Sequence, residues 1–316
     1  MRGGIDRKDV WQKMNHVNPK LILFLGVIGV SVSAIFVKFS QAPSLVTATY
    51  RMFWTVAILL PLSLKKSLPE LKALSRREIL MGAAAGALFA LHFTLWFESL
   101  KHTSIAASTV LVDTDVIFAA LGFCLFMGGR VPRKGVIAIG VTLCGGIITA
   151  LAGGGDGSSS LLGNLLALGA AVLMAGYTLI GRFTRSRDIS TTAFTLISYP
   201  SCLAVLLALD LFSGTPLTGY GLREVLIGLG LAVCCNLLGH SLVSWSLKYL
   251  TPGYVSAVKL CEPVFATLLG IPLFLEIPGA AQLIGGAVII CGVYLYSGVE
   301  TAEIPKALKD PETAGV

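Results

Sequence analysis

Charge is what this sequence has least of. Asp, Glu, Lys and Arg make up 13% of its 316 residues, about half the roughly 25% of an average soluble domain, too little to wrap the apolar mass in a polar surface. With 55% hydrophobic residues and a mean hydropathy of +0.82, the solvent that fits is a bilayer. Histidine is scarce: His16, His92, His102 and His240 lie far apart, and no HExxH or CxxC set is present to seat zinc. The seven cysteines all fall inside apolar runs, where they read as small core residues and not as disulfide halves. There is no GxxxxGK[ST] loop for ATP and no GxSxG elbow for an acyl-enzyme. The net charge of +7 does not point to nucleic acid, because the basic residues are spread through short segments between apolar runs. The expectation is no metal, no cofactor and no nucleic-acid partner.

Apolar runs of about 20 residues, the length that crosses a bilayer, occur at 21–39, 45–64, 79–98, 105–128, 135–152, 161–181, 192–212, 225–246, 252–275 and 279–298. The first follows a polar tail without a small-residue cleavage site, so it reads as a retained span and not a signal peptide. With ten spans and a cytoplasmic N-terminus, 19 of the 24 Lys and Arg residues fall on the inside and three outside. That split supports the even count, since one missed helix would reverse the sign of every later loop. The sequence therefore predicts an all-α integral membrane protein with both termini cytoplasmic, in a bacterial cytoplasmic (inner) membrane. It reads as a tail (1–20), a first half (21–152), a Gly/Ser linker (153–160), a second half (161–298) and a polar tail (299–316).

The halves are related. Displacing the chain by 147 residues lays Ser99-Leu100-Lys101 over Ser246-Leu247-Lys248 and continues without a gap to Cys144-Gly145 over Cys291-Gly292, with 10 of 47 positions identical. A displacement of 146 lays Arg77-Glu78 over Arg223-Glu224, and one of 144 lays Lys38-Phe39 over Arg182-Phe183. Five spans is an odd number, so the second repeat enters the membrane from the opposite side. Inverted repeats of this kind build alternating-access carriers with a midplane site.

In the second repeat, Gly239-His240, the stretch from Trp245 to Tyr249, Glu262-Pro263, Glu276, and Gly285-Gly286 with Gly292 follow one another in the order found in EamA-type transporters of the drug/metabolite transporter superfamily. The first repeat resembles the same family through Arg51 and the stretch TSIAASTVLVDTDVIF. The resemblance spans about 21–298 and implies a carrier of small organic metabolites such as amino acids, with export favoured and a role for His240. It also implies a latching role for Glu276 at the end of the ninth span. Two positions depart from the family pattern: Val116 stands where proline is usual, and Gly129-Arg130 where Gly-Glu is usual.

Ionisable side chains inside spans are costly and so mark candidate sites. Asp115 and Glu262 lie mid-span and are aligned by the repeat, an arrangement suited to proton coupling or to attracting a cationic group. Lys259, three residues before Glu262, shares its face and reads first as its ion-pair partner. Asp113 lies about 200° around a helix from Asp115, which turns it away from that cavity and toward Arg51. Arg51 with Trp54, and His92 with Trp96, share faces at helical spacing and can line an amphipathic cavity. The tryptophans read equally as interfacial anchors and His92 as an interhelical donor. Asn236, His240 and Ser244 form a polar stripe; Tyr177 and Tyr254 are weaker candidates. Glycines at 82–86 and 285–286 read as helix contacts. The expected partners are a small-molecule solute and the bilayer, and a homodimer is compatible. A membrane-embedded aspartyl-type enzyme using Asp113 or Asp115 with Glu262, and a non-transporting membrane protein, stay open as alternatives.

Overall fold

The computed structural model describes residues 18–127, 132–151, 160–185, 187, 189–246, 258–259, 261–275 and 277–302. Expectations for the tails, the Gly/Ser linker, Gly129-Arg130, Tyr254 and Glu276, and for the side chains of Ser244 and Trp245, lie outside the described residues. The described elements are helical, with no strand among them: α1 (Pro19–Phe39), α2 (Ser44–Ala73), α3 (Arg76–His102), α4 (Ile105–Val112), α5 (Asp115–Met127), α6 (Arg133–Leu151), α7 (Leu161–Arg185), α8 (Thr191–Phe212) and α9 (Leu222–Gly230). A π-helical segment (Leu231–His240) follows, then α10 (Ser241–Ser246), α11 (Glu262–Phe274) and α12 (Ala280–Ala302).

Local chemistry sets the helix ends. Asn18 caps α1, its side chain accepting from Lys20 N at 3.0 Å, with Pro19 at the first position, where a missing N–H costs nothing. Ser75 and Glu78 form a reciprocal capping box on α3. Among the described residues, six stretches are long and apolar enough to cross a membrane: α1, α2, α3, Leu161–Gly181 of α7, α8, and Leu222–Val243 through α9, the π segment and the start of α10. Their outward faces carry large apolar side chains such as Leu62, Leu211 and Phe212, each at least 75% exposed, a surface fit for lipid and not for water.

The fourth apolar run, read from sequence as one continuous span, is instead two short helices. The chain turns at Asp113 and Thr114; Thr114 N and Oγ1 donate to Leu111 O at 3.2 and 2.7 Å, and α5 starts afresh at Asp115. The reason is competition: the Thr114 hydroxyl takes up the Leu111 carbonyl in the last turn of α4, a side-chain partner that lets the helix end there.

Within the bundle α3 is central, packing on α7 and α8. Three further contacts pair elements that the sequence repeat would exchange. The α1 contact with the π segment matches α3 with α7, the α1 contact with α11 matches α7 with α5, and the α2 contact with α9 matches α8 with α3. The α6–α12 pair is closely packed: a Cβ on Gly285 or Gly292 would meet the backbone and hydroxyls of Thr149 and Thr142.

Candidate functional site

The α4–α5 break and the start of α11 face a common interior cavity of about 60 Å³, also lined by α1, α2, α3 and the π segment. A void of that size holds more than one water. Asp113, Asp115, Lys259, Glu262, Arg51, His92, Trp96 and His240 all line it. Asp115 opens α5 and Glu262 opens α11, so the two carboxylates aligned by the repeat sit at matching places, each on the first residue of a restarted helix.

Three expectations are corrected here. Asp113 lines the cavity together with Asp115, because the helix is broken between them and a 100° wheel no longer applies. Asp113 does not hold Arg51, whose guanidinium is held by other groups: Nη1 donates to Ser33 Oγ at 3.0 Å, Nε donates to Asn236 Oδ1 at 3.1 Å, and Nη2 donates to the same oxygen. Lys259 has Asp115, Glu262 and Asp113 as charged neighbours, but among the described residues none lies within ion-pair distance of it. It stands over a carboxylate cluster and not on one partner.

Arg51 is 1% exposed, so its charge must be satisfied internally. Asn236 is in turn fixed by donating from Nδ2 to Thr55 Oγ1 at 2.8 Å, and the Thr55 hydroxyl donates to Arg51 O at 2.8 Å. Phe93 lies face-on to the guanidinium, 4.2 Å from Cζ to the ring centroid, a cation–π contact. Asn236 lines neither this cavity nor its neighbour; it positions Arg51 from behind. It belongs to the π segment, a helix variant often found at functional sites.

His92 Nδ1 lies 2.9 Å from Ala170 O; since a carbonyl only accepts, that nitrogen carries the hydrogen, leaving Nε2 as an acceptor. The ring stacks on Trp96, with centroids 5.9 Å apart. Trp96 is 5% exposed and deep in the core, so it is no interfacial anchor. Among the described residues its indole N–H and Asp113 Oδ2 are buried without a hydrogen-bond partner, one donor and one acceptor at the same cavity. Trp54 lines neither cavity and packs edge-on to Phe53 on the flank of α2.

A second cavity of about 190 Å³ adjoins the first through Phe89, Met174 and His240 and runs between α7 and α8 past Tyr177, Thr178, Gly181 and Phe194. Phe89 stacks on Tyr177 at 4.5 Å and on Tyr199 at 5.9 Å, giving this passage an aromatic wall. The sequence reading missed Ser33, Phe89, Phe93, Met174 and Tyr199. One signal was present: Phe89, His92, Phe93, Trp96 and Phe97 follow an i, i+3, i+4 rhythm that puts five rings on one face of α3.

The chain matches the model of the EamA-like transporter family over residues 19–151 and again over 161–298. It is similar to the pseudopaline exporter CntI of two Pseudomonas aeruginosa strains, at 24% identity over 220 residues, 69% of this chain and 75% of that protein. It is 25% identical over 264 residues to an uncharacterized transporter of Clostridium kluyveri, covering 81% and 85% of the two chains. A solved structure, titled only "Crystal structure of protein", shares the fold with a TM-score of 0.58 at 19% identity, over 90% of this chain and 98% of that one.

Proposed function

The chain belongs to the EamA-like transporter family and is a multi-pass membrane transporter; on that premise we propose that it is a proton-coupled secondary exporter of small organic metabolites such as amino acids. The observation that carries the proposal is the pair Asp115 and Glu262, equivalent in the repeat, each at the start of a restarted helix and both open to one interior cavity. Buried carboxylates in membrane helices are costly and are retained where a proton or a cationic group must be bound and released. Helices broken at a midplane site are the usual construction of such carriers.

In this reading ten spans form two inverted repeats, 21–152 and 161–298, with both termini in the cytoplasm. The helix contacts that exchange under the repeat support it. Arg51, His92, Trp96, His240 and Lys259 with the carboxylates form the solute or coupling site, and Asn236 acts through Arg51. The unpaired Trp96 N–H and Asp113 oxygen offer one donor and one acceptor to a solute carrying both kinds of group. Export draws support from the Pseudomonas relative, which is an exporter; the larger cavity runs toward the α7–α8 end, the cytoplasmic side in this orientation.

The test is flux in proteoliposomes under an imposed pH gradient, with radiolabelled amino acids and related metabolites, comparing the wild type with Glu262→Gln. Gradient-stimulated flux that disappears in the variant is the expected result. Flux indifferent to both the gradient and the substitution would overturn proton coupling.

A further inference from the structure

The α5 and α6 helices follow one another in the chain, yet among the described residues they hardly touch: α5 packs on α7, and α6 on α12. A groove of about 290 Å³ lies between α5, α6 and α7. Phe118 of α5, Leu143 and Ile147 of α6, and Leu161, Leu165 and Leu168 of α7 form its walls. Thr114 and Thr142 also line it, but Thr114 Oγ1 donates to Leu111 O at 2.7 Å and Thr142 Oγ1 to Ala138 O at 3.0 Å. With both hydroxyl hydrogens spent and no charge among the described lining residues, the groove has nothing to hold a polar solute or an ordered water.

The groove opens on the flank of the bundle. Ile147, Leu161 and Leu165 on its rim are each more than half exposed, which makes it continuous with the apolar surface fit for lipid. It starts beside the ends of α6 and α7 that flank the Gly/Ser linker, at Ile147 and Leu161, and reaches inward to Thr114. Between Leu161 and Leu168 the α7 axis rises about 10 Å at roughly 1.5 Å per residue, most of the roughly 15 Å of hydrocarbon in one leaflet. Thr114 joins two sites: its own side chain borders the groove, while its neighbours Asp113 and Asp115 line the carboxylate cavity.

We propose that the groove is a binding site for one acyl chain of a bilayer phospholipid, which enters beside the linker and ends against the α4–α5 break. Length and chemistry select this occupant: a hydrocarbon tail is long and narrow, needs no hydrogen bond, and is already present at the mouth of the groove. Filling the gap gives the side chains of α5 and α6 the dispersion contacts that they do not give each other. A tail held there props α5 against α7 and so supports the break that brings Asp113 and Asp115 to one cavity. The proposal rests on the membrane placement of the helices and not on the proton-coupled carrier reading.

Photolabelling of the full chain in phosphatidylcholine nanodiscs tests it, with a small fraction of the lipid carrying a diazirine at the end of one acyl chain and the labelled residues mapped by mass spectrometry. Phe53, 51% exposed near the middle of the α2 span, reports ordinary lipid contact at a similar depth. Phe118 and Leu168 are only partly exposed, so chance contact would label them less than Phe53. A tail that leaves the surrounding lipid for the groove gains packing and no hydrophobic transfer, so the expected preference is moderate, about threefold more label at Phe118 and Leu168 than at Phe53. Gly146 lines the groove and a Cβ there meets nothing within 4 Å, so Gly146→Leu has room to fill it and should bring the label at Phe118 and Leu168 below that at Phe53. Gly140→Leu, with the same room at its Cβ but outside the groove, should leave the pattern unchanged. Label at Phe118 and Leu168 no heavier than at Phe53, or indifferent to Gly146→Leu, would overturn the proposal and leave ordinary lipid contact. The assay uses neither solute nor pH gradient, so its outcome is independent of the flux test that decides the transport reading.

Discussion

Asn236→Ala should be among the most damaging single truncations in the protein, although Asn236 lines neither interior cavity. Two of the three guanidinium hydrogen bonds of Arg51 end on its Oδ1, leaving only Ser33 Oγ at 3.0 Å. A hydrogen bond to a charged group is worth about 1.5–3 kcal/mol net; because the two bonds share one acceptor, they count as one strong bond and part of a second, about 3 kcal/mol. Lost packing adds less, about 0.8 kcal/mol per buried methylene-sized group. The total sits in the range of about 3–5 kcal/mol for stripping a partner from a buried charge. Asn236→Asp keeps an oxygen in place, and the Thr55 hydroxyl can turn to donate to the second one, so it should cost less than about 1 kcal/mol. Equilibrium unfolding in mixed micelles, followed by tryptophan fluorescence, reads both. A loss below about 1 kcal/mol for Asn236→Ala, or equal losses for the two variants, would refute the claim that this oxygen holds the guanidinium.

Other outcomes follow from the same geometry. Phe89→Ala removes the ring shared by the Tyr177 and Tyr199 stacks and should widen the passage, raising flux of bulkier solutes relative to smaller ones; unchanged relative flux would mean that solutes do not pass there. Gly285→Leu drives a side chain into Thr149 and the α6 backbone and should cost about 1–3 kcal/mol or more as overpacking, read by thermal unfolding, whereas Gly140→Ala on α6, with nothing within 4 Å of the added carbon, should be neutral or mildly stabilising.

Hydropathy made the helices visible because length and apolarity are what a bilayer demands of them. The positions of α1, α3, α7 and α8 agree with their apolar runs to within a few residues at most ends. The α4–α5 break was invisible to the same measure, since Val112 to Ile117 is one apolar stretch interrupted by two aspartates and a threonine, and hydropathy does not register where a backbone turns. From that omission came the misplacement of Asp113, because a helical wheel drawn through a break reports the wrong face. The partner of Arg51 was illegible for a different reason: Asn236 lies 185 positions away, and a charge–charge guess overlooked a neutral acceptor. Trp54 was paired with Arg51 by spacing alone, and spacing cannot say which side of a helix the bundle occupies. The repeat, by contrast, is strong enough to align Asp115 with Glu262 from the sequence alone.

That alignment makes a further demand on the first break, because the two restarted helices differ at one place. The second residue of α11 is Pro263, whereas the second residue of α5 is Val116. A proline inside a helix costs about 3 kcal/mol, but in the first turn its missing N–H has no intrahelical carbonyl to lose. If α5 begins at Asp115, Val116→Pro should therefore be tolerated to within about 1 kcal/mol, although it removes the N–H that serves the neighbouring Asp115 carboxylate, a service that Glu262 does without. Ala119→Pro, one turn further along α5, should cost the full amount of about 3 kcal/mol. Mixed-micelle unfolding of the two variants separates the cases. Equal, large losses would mean that residues 105–127 form a continuous helix in the membrane, and the shared cavity of Asp113 and Asp115 would have to be abandoned, since an unbroken helix sends their side chains to opposite faces.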